Sequence, residues 1–539
     1  MDGIFSPPTP TNEAVKDFAS GSPERSSLQE MLRELESEVI DLPCIIGGEE
    51  IHTGRIDPVR MPCDHQHVLG NAHFARDTEI SSAVDAALAA RHDWAAMPWS
   101  ERAAVFLRAA ALLAGPYRDL LNGSTMLGQA KTCHQAEIDA ACELIDFFRF
   151  NVTYASEIYA EQPPVSPPGI WNRLDHRGLE GFVFALTPFN FTSICGNLPS
   201  SAALMGNTVV WKPARTQAYS AHYLMKLFEE AGLPDGVINL VHGVGREIGG
   251  HVLTHPDLAG VHFTGGTGTF NHIWKTVGTN IANYRTYPRL VGETGGKDFI
   301  CAHPSADPVA LSVAIARGSF EYQGQKCSAS SRVYVPKSLW PEVRDRVAAI
   351  VAEMQVGDVR DFGTFIGAVI DESAWNNHSR YLELANRDGE VVTGGRGDRS
   401  IGWFIEPTLA RFDDPRHTLM CEEIFGPIVA AYVYDDARWE ETLGLVDTTS
   451  PYALTGAVFA RERGVINQAT EALRHAAGNF YVNDKPTGAV VGQQPFGGAR
   501  SSGTNDKAGS KTNLYRWVSP HTIKENFDPP KAWRYPYLD

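Results

Sequence analysis

The chain has 539 residues, 43% of them hydrophobic and 21% charged, which is ordinary for a globular protein and too long for one hydrophobic core, so two or three domains are expected. Its net charge is −17 and no dense run of Lys or Arg occurs, which argues against a nucleic-acid partner, because binding a phosphate backbone needs clustered cations. Eight cysteines, at positions 44, 63, 133, 142, 195, 301, 327 and 421, show no CxxC and no Cys/His ligand spacing, so neither a disulfide framework nor a metal site is expected.

The first forty residues carry Asp2, Glu13, Glu24 and Glu30 with several prolines, unlike the Arg-rich, acid-poor pattern of a transit peptide. The expected compartment is the cytoplasm, with the mitochondrial matrix as the alternative for a eukaryotic chain. Up to about Asn71 the sequence reads as an arm containing one helix, SSLQEMLRELESEV. Three helical patterns follow, DTEISSAVDAALAARHDWAAM, ERAAVFLRAAALLAG and QAEIDAACELIDFFRFNVTYASEIYAEQ, each repeating apolar residues at three- and four-residue spacing. The apolar run from Ala103 to Gly115 is broken by Arg108 and is too short to span a bilayer, so no membrane partner is expected. QPPVSPPG, from 162 to 169, stops the last helix because proline lacks the amide that helices need.

Beyond it, strand-like runs (GFVFALTPF, NTVVWKPA, GVINLVHG, GVHFTGG) alternate with helices such as SAHYLMKLFEEAGL, which predicts βαβ units and a parallel sheet. A second alternating series, KDFICAH, DPVALSVAIARGSFEYQG, SSRVYVP, LWPEVRDRVAAIVAEM and NFYVND, predicts a second α/β domain beginning near Glu293.

Several short motifs sit at the ends of these runs. Cys327 lies in GQKCSAS, where small neighbours leave room for a substrate and a turn offers backbone N–H groups to an oxyanion; a buried structural thiol is the alternative. Glu293 ends a strand before Gly295 and Gly296, where a buried carboxylate can act as a general base and a solvated turn acid is the plainer option. Asn190 in TPFNFTS offers an amide donor for an oxyanion, or serves only as a turn residue. Lys212 in WKPA stands at the carboxyl edge of a parallel sheet, where ligands bind. The loops GVGREIGG and FTGGTG are rich in glycine, but neither fits the GxGxxG dinucleotide fingerprint. EEIFGP adds Glu423, able to hold a ribose, and Phe425, able to press on a flat ring.

Taken in this order, TPFNF, WKPA, FTGG, GETGGK, GQKCSA and EEIFGP resemble the aldehyde dehydrogenase superfamily along nearly the whole chain. Longer stretches, including FEYQGQKCSASSRVYVP, AAGNFYVNDKPTGAVVGQQPFGGARSSGTNDKAGS and the SPER of the arm, resemble its delta-1-pyrroline-5-carboxylate dehydrogenase branch in the monofunctional form, since 539 residues leave no room for a fused proline dehydrogenase. The resemblance implies an α/β fold in five parts. These are an N-terminal arm and helical part over 1–161, an oligomerisation hairpin over 162–180 and a Rossmann-like NAD-binding domain over 181–292. A catalytic domain over 293–490 and a C-terminal return and tail over 491–539 complete it, as at least a homodimer.

The resemblance also implies roles. Cys327 attacks the aldehyde of L-glutamate γ-semialdehyde, Asn190 and the Cys327 N–H hold the oxyanion, hydride goes to NAD, and Glu293 activates the water that releases glutamate. Lys212 and Glu423 would hold the riboses, with Thr264, Gly265 and Gly266 against the pyrophosphate and Phe425 near the nicotinamide. On the substrate side, Gly488 and Ala489 of PTGAVV can present N–H groups to the α-carboxylate. Ser328 would stand beside them, Phe191 and Phe496 would wall the aliphatic chain, and Glu143 would meet the ammonium. One departure concerns the cofactor. Many NAD-preferring relatives carry an acid three residues after the WKPA lysine, whereas this chain has Arg215, which would tolerate NADP. The rival readings are a dehydrogenase for another amino or dicarboxylic semialdehyde, a non-catalytic binding protein, and a cofactor-free thiol hydrolase or acyltransferase.

Overall fold

A computed structural model describes residues 5–538; Asp2 and the rest of the first four residues of the arm, and Asp539 of the tail, lie outside it. Two seven-stranded sheets organise the chain. The first runs in the order Arg289–Glu293, Leu258–Thr264, Phe182–Thr187, Thr208–Pro213, Ile238–Leu240, Cys44–Ile46, Glu49–Ile51. Its first five strands are parallel, and the last two join antiparallel. The two antiparallel strands come from the segment the sequence reads as an arm. The strand order reverses between Phe182–Thr187 and Leu258–Thr264, and such a switch point opens a crevice at the carboxyl ends of the strands.

Both faces of this sheet are covered, which is why its strands are apolar without alternation. Val183, Ala185, Val209 and Trp211 face one core with Trp94, Phe106, Phe148 and Phe228. Phe182, Phe184, Val210, Val261 and Phe263 face the other, with Ile80, Ala83, Ile248 and Phe270 from the helices Asp77–Ala96, Gly245–Val252 and Thr267–Thr279. Successive residues thus serve opposite cores, the period-two rule of a strand.

The second sheet is built the same way, in the order Glu390–Thr393, Thr408–Phe412, Ile428–Tyr434, Ser330–Pro336, Asp298–Ala302, Thr455–Phe459, Asn479–Val482. It is parallel except for the first pair. The chain passes from one sheet to the other between Glu293 and Asp298, through Gly295 and Gly296.

Two expectations need correction. The segment 162–180 does not fold back as a hairpin: Ile170–Arg177 is one strand, paired antiparallel with Ser519–Asn526 of the tail. The long pattern from Gln135 is also not a uniform α-helix. It begins as Cys133–Ala136, widens to a π-helix over Glu137–Glu143, and continues as Leu144–Ala160. Such π segments occur frequently at functional sites, and this one carries Asp139 and Glu143.

Candidate active site

The carboxyl ends of the first sheet's strands hold the cofactor candidates. They line a cavity of about 980 Å³ whose walls include Asn190, Lys212, Thr264, Gly265, Gly266, Glu423, Phe425 and Cys327. Two helices begin there. Gly266 is the N-cap of Thr267–Thr279 and Gly245 the first residue of Gly245–Val252, so free N–H groups and positive dipole ends face the space. Side chains are pared away around it: a Cβ on Gly250, Gly266 or Gly268 would meet nothing within 4 Å. Lys212 is buried, donates from Nζ to the Pro213 carbonyl at 2.8 Å, and is pulled down to about 8 by burial. Glu423 accepts from the Gly296 N–H at 2.9 Å, and burial pushes it up to about 7. A Cβ on Gly295 would collide with that carboxylate, which accounts for one glycine of GETGGK. Phe425 takes a left-handed conformation (φ 57°) and packs edge-on against Phe189 at 5.8 Å. A long, glycine-walled cleft with two helix N-termini, one lysine and one carboxylate fits a dinucleotide.

Cys327 stands on a strained loop. Tyr322, Gln323 and Gly324 are consecutive left-handed residues (φ 52°, 54° and 64°), and two of them are not glycine. The surroundings hold them there. Gln323 Nε2 donates to the carbonyls of Ala130 (2.9 Å) and Ala368 (2.8 Å), Gln325 Oε1 accepts from Ile370 N (2.9 Å), and a Cβ on Gly324 would strike the Gly426 carbonyl. Asn190 Nδ2 donates to Gln325 O at 3.0 Å, placing its amide beside the loop. Burial, with Asp298, Glu293 and Glu423 nearby, pushes the Cys327 thiol well up, while its own N–H works the other way. The resting group is a thiol, and a base has to take its proton.

Glu293 ends its strand within electrostatic reach of that thiol, but its side chain is not among the residues lining either cavity. Oε1 lies against Gly497, where a Cβ would approach it to 2.8 Å, and Oε2 is buried without a hydrogen-bond partner. Burial drives its pKa well above the ordinary carboxylate value, Lys507 opposing and Asp506 adding. The Gly498 N–H also bonds this carboxyl, and its raised pKa makes it a stronger base than an exposed glutamate.

On the far side of the thiol lies a second cavity, of about 250 Å³, that Cys327 also lines. Ser328, Gly488, Ala489, Phe191, Phe496 and Glu143 all stand in its wall. Ser328 Oγ and Thr487 Oγ1 are 2.8 Å apart, tying the PTGAVV turn to the residue after the thiol, and Gly488 has φ 96°. Glu143 Oε2 accepts from Ser193 Oγ at 2.8 Å, and burial, with Asp139 adding, pushes it up to about 8. Behind Phe191, the buried Lys131 pairs with Asp139 at 2.6 Å and lies 4.1 Å from the Phe191 ring. Asp139 also accepts from Thr192 N and Ser193 N, both at 2.9 Å, so it caps the helix Thr192–Leu204 and fixes the Asn190–Phe191 loop.

Some of the wall comes from residues given no role in the sequence reading. Lys326 and Lys485 line the cavity and share Glu321, at 3.1 and 3.3 Å, while Asn12, Glu13 and Val15 reach it from the arm. The ligand space is therefore lined by both acids (Glu143, Asp146) and cations (Lys326, Lys485). Arg215 pairs with Asp57 at 2.5 Å and lines a different cavity, with Arg60, Asp371 and Trp403.

Comparison with known proteins agrees with this geometry. The aldehyde dehydrogenase family model matches residues 52–523. The chain is 50% identical over 535 residues to delta-1-pyrroline-5-carboxylate dehydrogenase, mitochondrial, of Dictyostelium discoideum, covering 98% of this chain and 96% of that one. To the human protein of the same name it is 47% identical over 530 residues, covering 98% and 94%. The crystal structure of the Mycobacterium tuberculosis delta-pyrroline-5-carboxylate dehydrogenase bound with NAD superposes with a TM-score of 0.96 at 52% identity, over 100% of both chains. The chain belongs to the aldehyde dehydrogenase family.

Proposed function

We propose that this chain is an L-glutamate-γ-semialdehyde dehydrogenase, oxidising the open-chain form of delta-1-pyrroline-5-carboxylate to L-glutamate with NAD in proline catabolism. The observation that carries the reading is that Cys327 lines both cavities, one shaped for a dinucleotide and one walled by opposite charges.

An amino-acid aldehyde enters the smaller cavity with its two charges leading. Its α-carboxylate meets the N–H groups of Gly488 and Ala489 and the Ser328 hydroxyl, within the field of Lys485 and Lys326. Its ammonium meets Glu143, and that approach draws the carboxyl's proton off. Phe191 and Phe496 press on the methylenes. As Cys327 Sγ bonds to the aldehyde carbon, the thiol proton passes to Glu293, and the oxygen, now an anion, is held by Asn190 Nδ2 and the Cys327 N–H. NAD, when bound, supplies the acceptor for the hydride that leaves this carbon. Lys212 and Glu423 would hold the cofactor's riboses, and the N–H groups of the Thr264–Gly266 loop would receive its pyrophosphate. Cys327 is left as a thioester, a covalent stage that divides one difficult step into two. Glu293 gives the thiol's proton up to solvent and then takes a proton from water; the hydroxide adds to the acyl carbon, the carbon–sulfur bond breaks, the sulfur recovers its proton from Glu293, and glutamate leaves.

The assembly that accords with this reading is a homo-oligomer. The exposed ribbon of Ile170–Arg177 with Ser519–Asn526, and the exposed Trp171, Phe527, Trp533, Tyr535 and Tyr537, support it. Among the described residues no helix is long and apolar enough to cross a membrane. The test of function is formation of reduced cofactor from glutamate semialdehyde, with succinate semialdehyde and with NADP in parallel. Turnover with NAD and glutamate semialdehyde, favoured over both alternatives, is expected; preference for the dicarboxylic aldehyde would overturn the substrate assignment.

A further inference from the structure

Part of the wall of the substrate cavity is made by a stretch of chain with no helix or strand of its own. Residues 12–15 cross between the cavity's two walls. One wall is the helix that runs from Glu143 to Asp146; the other is the turn that runs from Thr487, tied to Ser328, to Val491. Asn12 joins their outer ends. Its Nδ2 donates to Asp146 Oδ2 and to the Val491 carbonyl, both at 2.8 Å, and its Oδ1 accepts from Gln493 Nε2 at 3.0 Å. Glu13 N takes the other Asp146 oxygen at 2.8 Å. Asp146 is thereby fully engaged, which leaves Glu143 as the acid that faces a ligand.

Position is secured from behind. The Glu13 carboxylate is clamped by Arg118 (2.7 Å) and Arg149 (2.8 Å), Arg118 Nη2 also donates to Ala14 O at 2.8 Å, and Lys16 N donates to Glu137 Oε1 at 2.9 Å. Arg118 is only 3% exposed, so this stretch of the arm is anchored to the interior rather than lying on the surface. A segment that serves only to cover a helix has no need to bridge it to the opposite wall of a ligand cavity.

We propose that residues 12–15 are the end wall of the substrate cavity and that Asn12 is a specificity-determining residue, fixing the length of the amino-acid aldehyde admitted. This rests on the proposed function. An aldehyde held at Cys327 by one end and at Gly488, Ala489 and Glu143 by its charged head must fit the distance between them, and the arm prevents the head from moving outward. Asn12→Ala removes both bridging donations. Asn12→Asp keeps the shape but sets a carboxylate against Asp146 and the Val491 carbonyl, so the arm lifts.

The experiment measures kcat and KM for glutamate γ-semialdehyde, for its homologue one methylene longer, and for propanal, with a melting curve for each protein. In both variants the ratio of kcat/KM for the longer to the cognate aldehyde is expected to rise about tenfold or more, the usual worth of one methylene in a fitted pocket, through KM rather than kcat. An unchanged ratio overturns the proposal. So does a parallel loss against all three aldehydes with a lowered Tm, which would make the arm a structural brace. If the wild-type protein oxidises propanal but neither amino-acid aldehyde, the proposed function itself fails and the end wall with it.

Discussion

The cofactor cavity and the substrate cavity share one atom group, the Cys327 thiol, and are built from different materials. The larger is mostly backbone and glycine: helix N-termini at Gly245 and Gly266 face it, Gly250, Gly266 and Gly268 leave it open, and Lys212, Arg246 and Glu423 bring its charge. The smaller is crowded with charged side chains, Asp139, Glu143, Asp146, Lys326 and Lys485, and Lys131 and Glu321 outside the lining brace them. A long ligand with a pyrophosphate is held by many weak, directional backbone groups. A short zwitterion has few atoms to offer, so recognition has to come from charge, and buried charge stays in place only when it is paired.

That contrast can be broken at its centre first. Cys327→Ala is expected to abolish oxidation of every aldehyde while cofactor binding, followed by fluorescence quenching, persists. Loss of both would mean the thiol holds the cofactor site together instead of reacting. Next in size is Asn190→Ala, which removes one oxyanion donor and should lower kcat by about 10²–10³-fold with KM little changed.

Glu143→Gln separates the two cavities. It should raise KM for glutamate semialdehyde by roughly 10–100-fold, the range for losing a charge-assisted hydrogen bond, and leave KM for glutarate semialdehyde, which has no ammonium, unaffected. KM for NAD should not move. The same residue carries a stability signature. Its folded pKa is about 8 against an ordinary 4.5, so between those values the folded chain keeps a proton that the unfolded chain has released. Stability then falls as pH rises through that window, by an amount on the order of a few kcal/mol. In urea unfolding, Glu143→Gln should gain on the wild type between pH 5 and 8; a constant difference would refute the raised pKa. The smallest effect is expected from Glu423→Gln, a raised KM for NAD of about fivefold, equivalent to one ordinary hydrogen bond, with aldehyde selectivity unchanged.

The two sheets were legible in the sequence because their strands are buried on both faces and read as unbroken apolar runs between helices. The catalytic and cofactor candidates were legible for a related reason: parallel strands bring ligand groups to their carboxyl ends, so Asn190, Lys212, Thr264 and Glu293 each follow or close such a run. What escaped was whatever depends on a partner far along the chain. The pair that Arg215 makes with Asp57, 158 positions earlier, cannot be read from the sequence. The segment 162–180 reads as a hairpin until its strand pairs with residues 519–526. Asn12 and Glu13 read as a polar tail until Asp146, Arg118 and Arg149 close around them. Glu143 and Asp139 sit in a helical pattern whose π turn leaves no trace in apolar spacing. The orientation of Glu293, turned onto Gly497, likewise depends on a glycine more than two hundred positions away.

The most direct test of the account is a single-turnover experiment on Glu293→Gln with NAD and glutamate semialdehyde, followed by peptide mass analysis. The variant should form one equivalent of NADH per site in a slow burst and then stop, with a glutamyl group on the peptide that contains Cys327. Steady turnover at the wild-type rate, or a burst that leaves Cys327 unmodified, would contradict it.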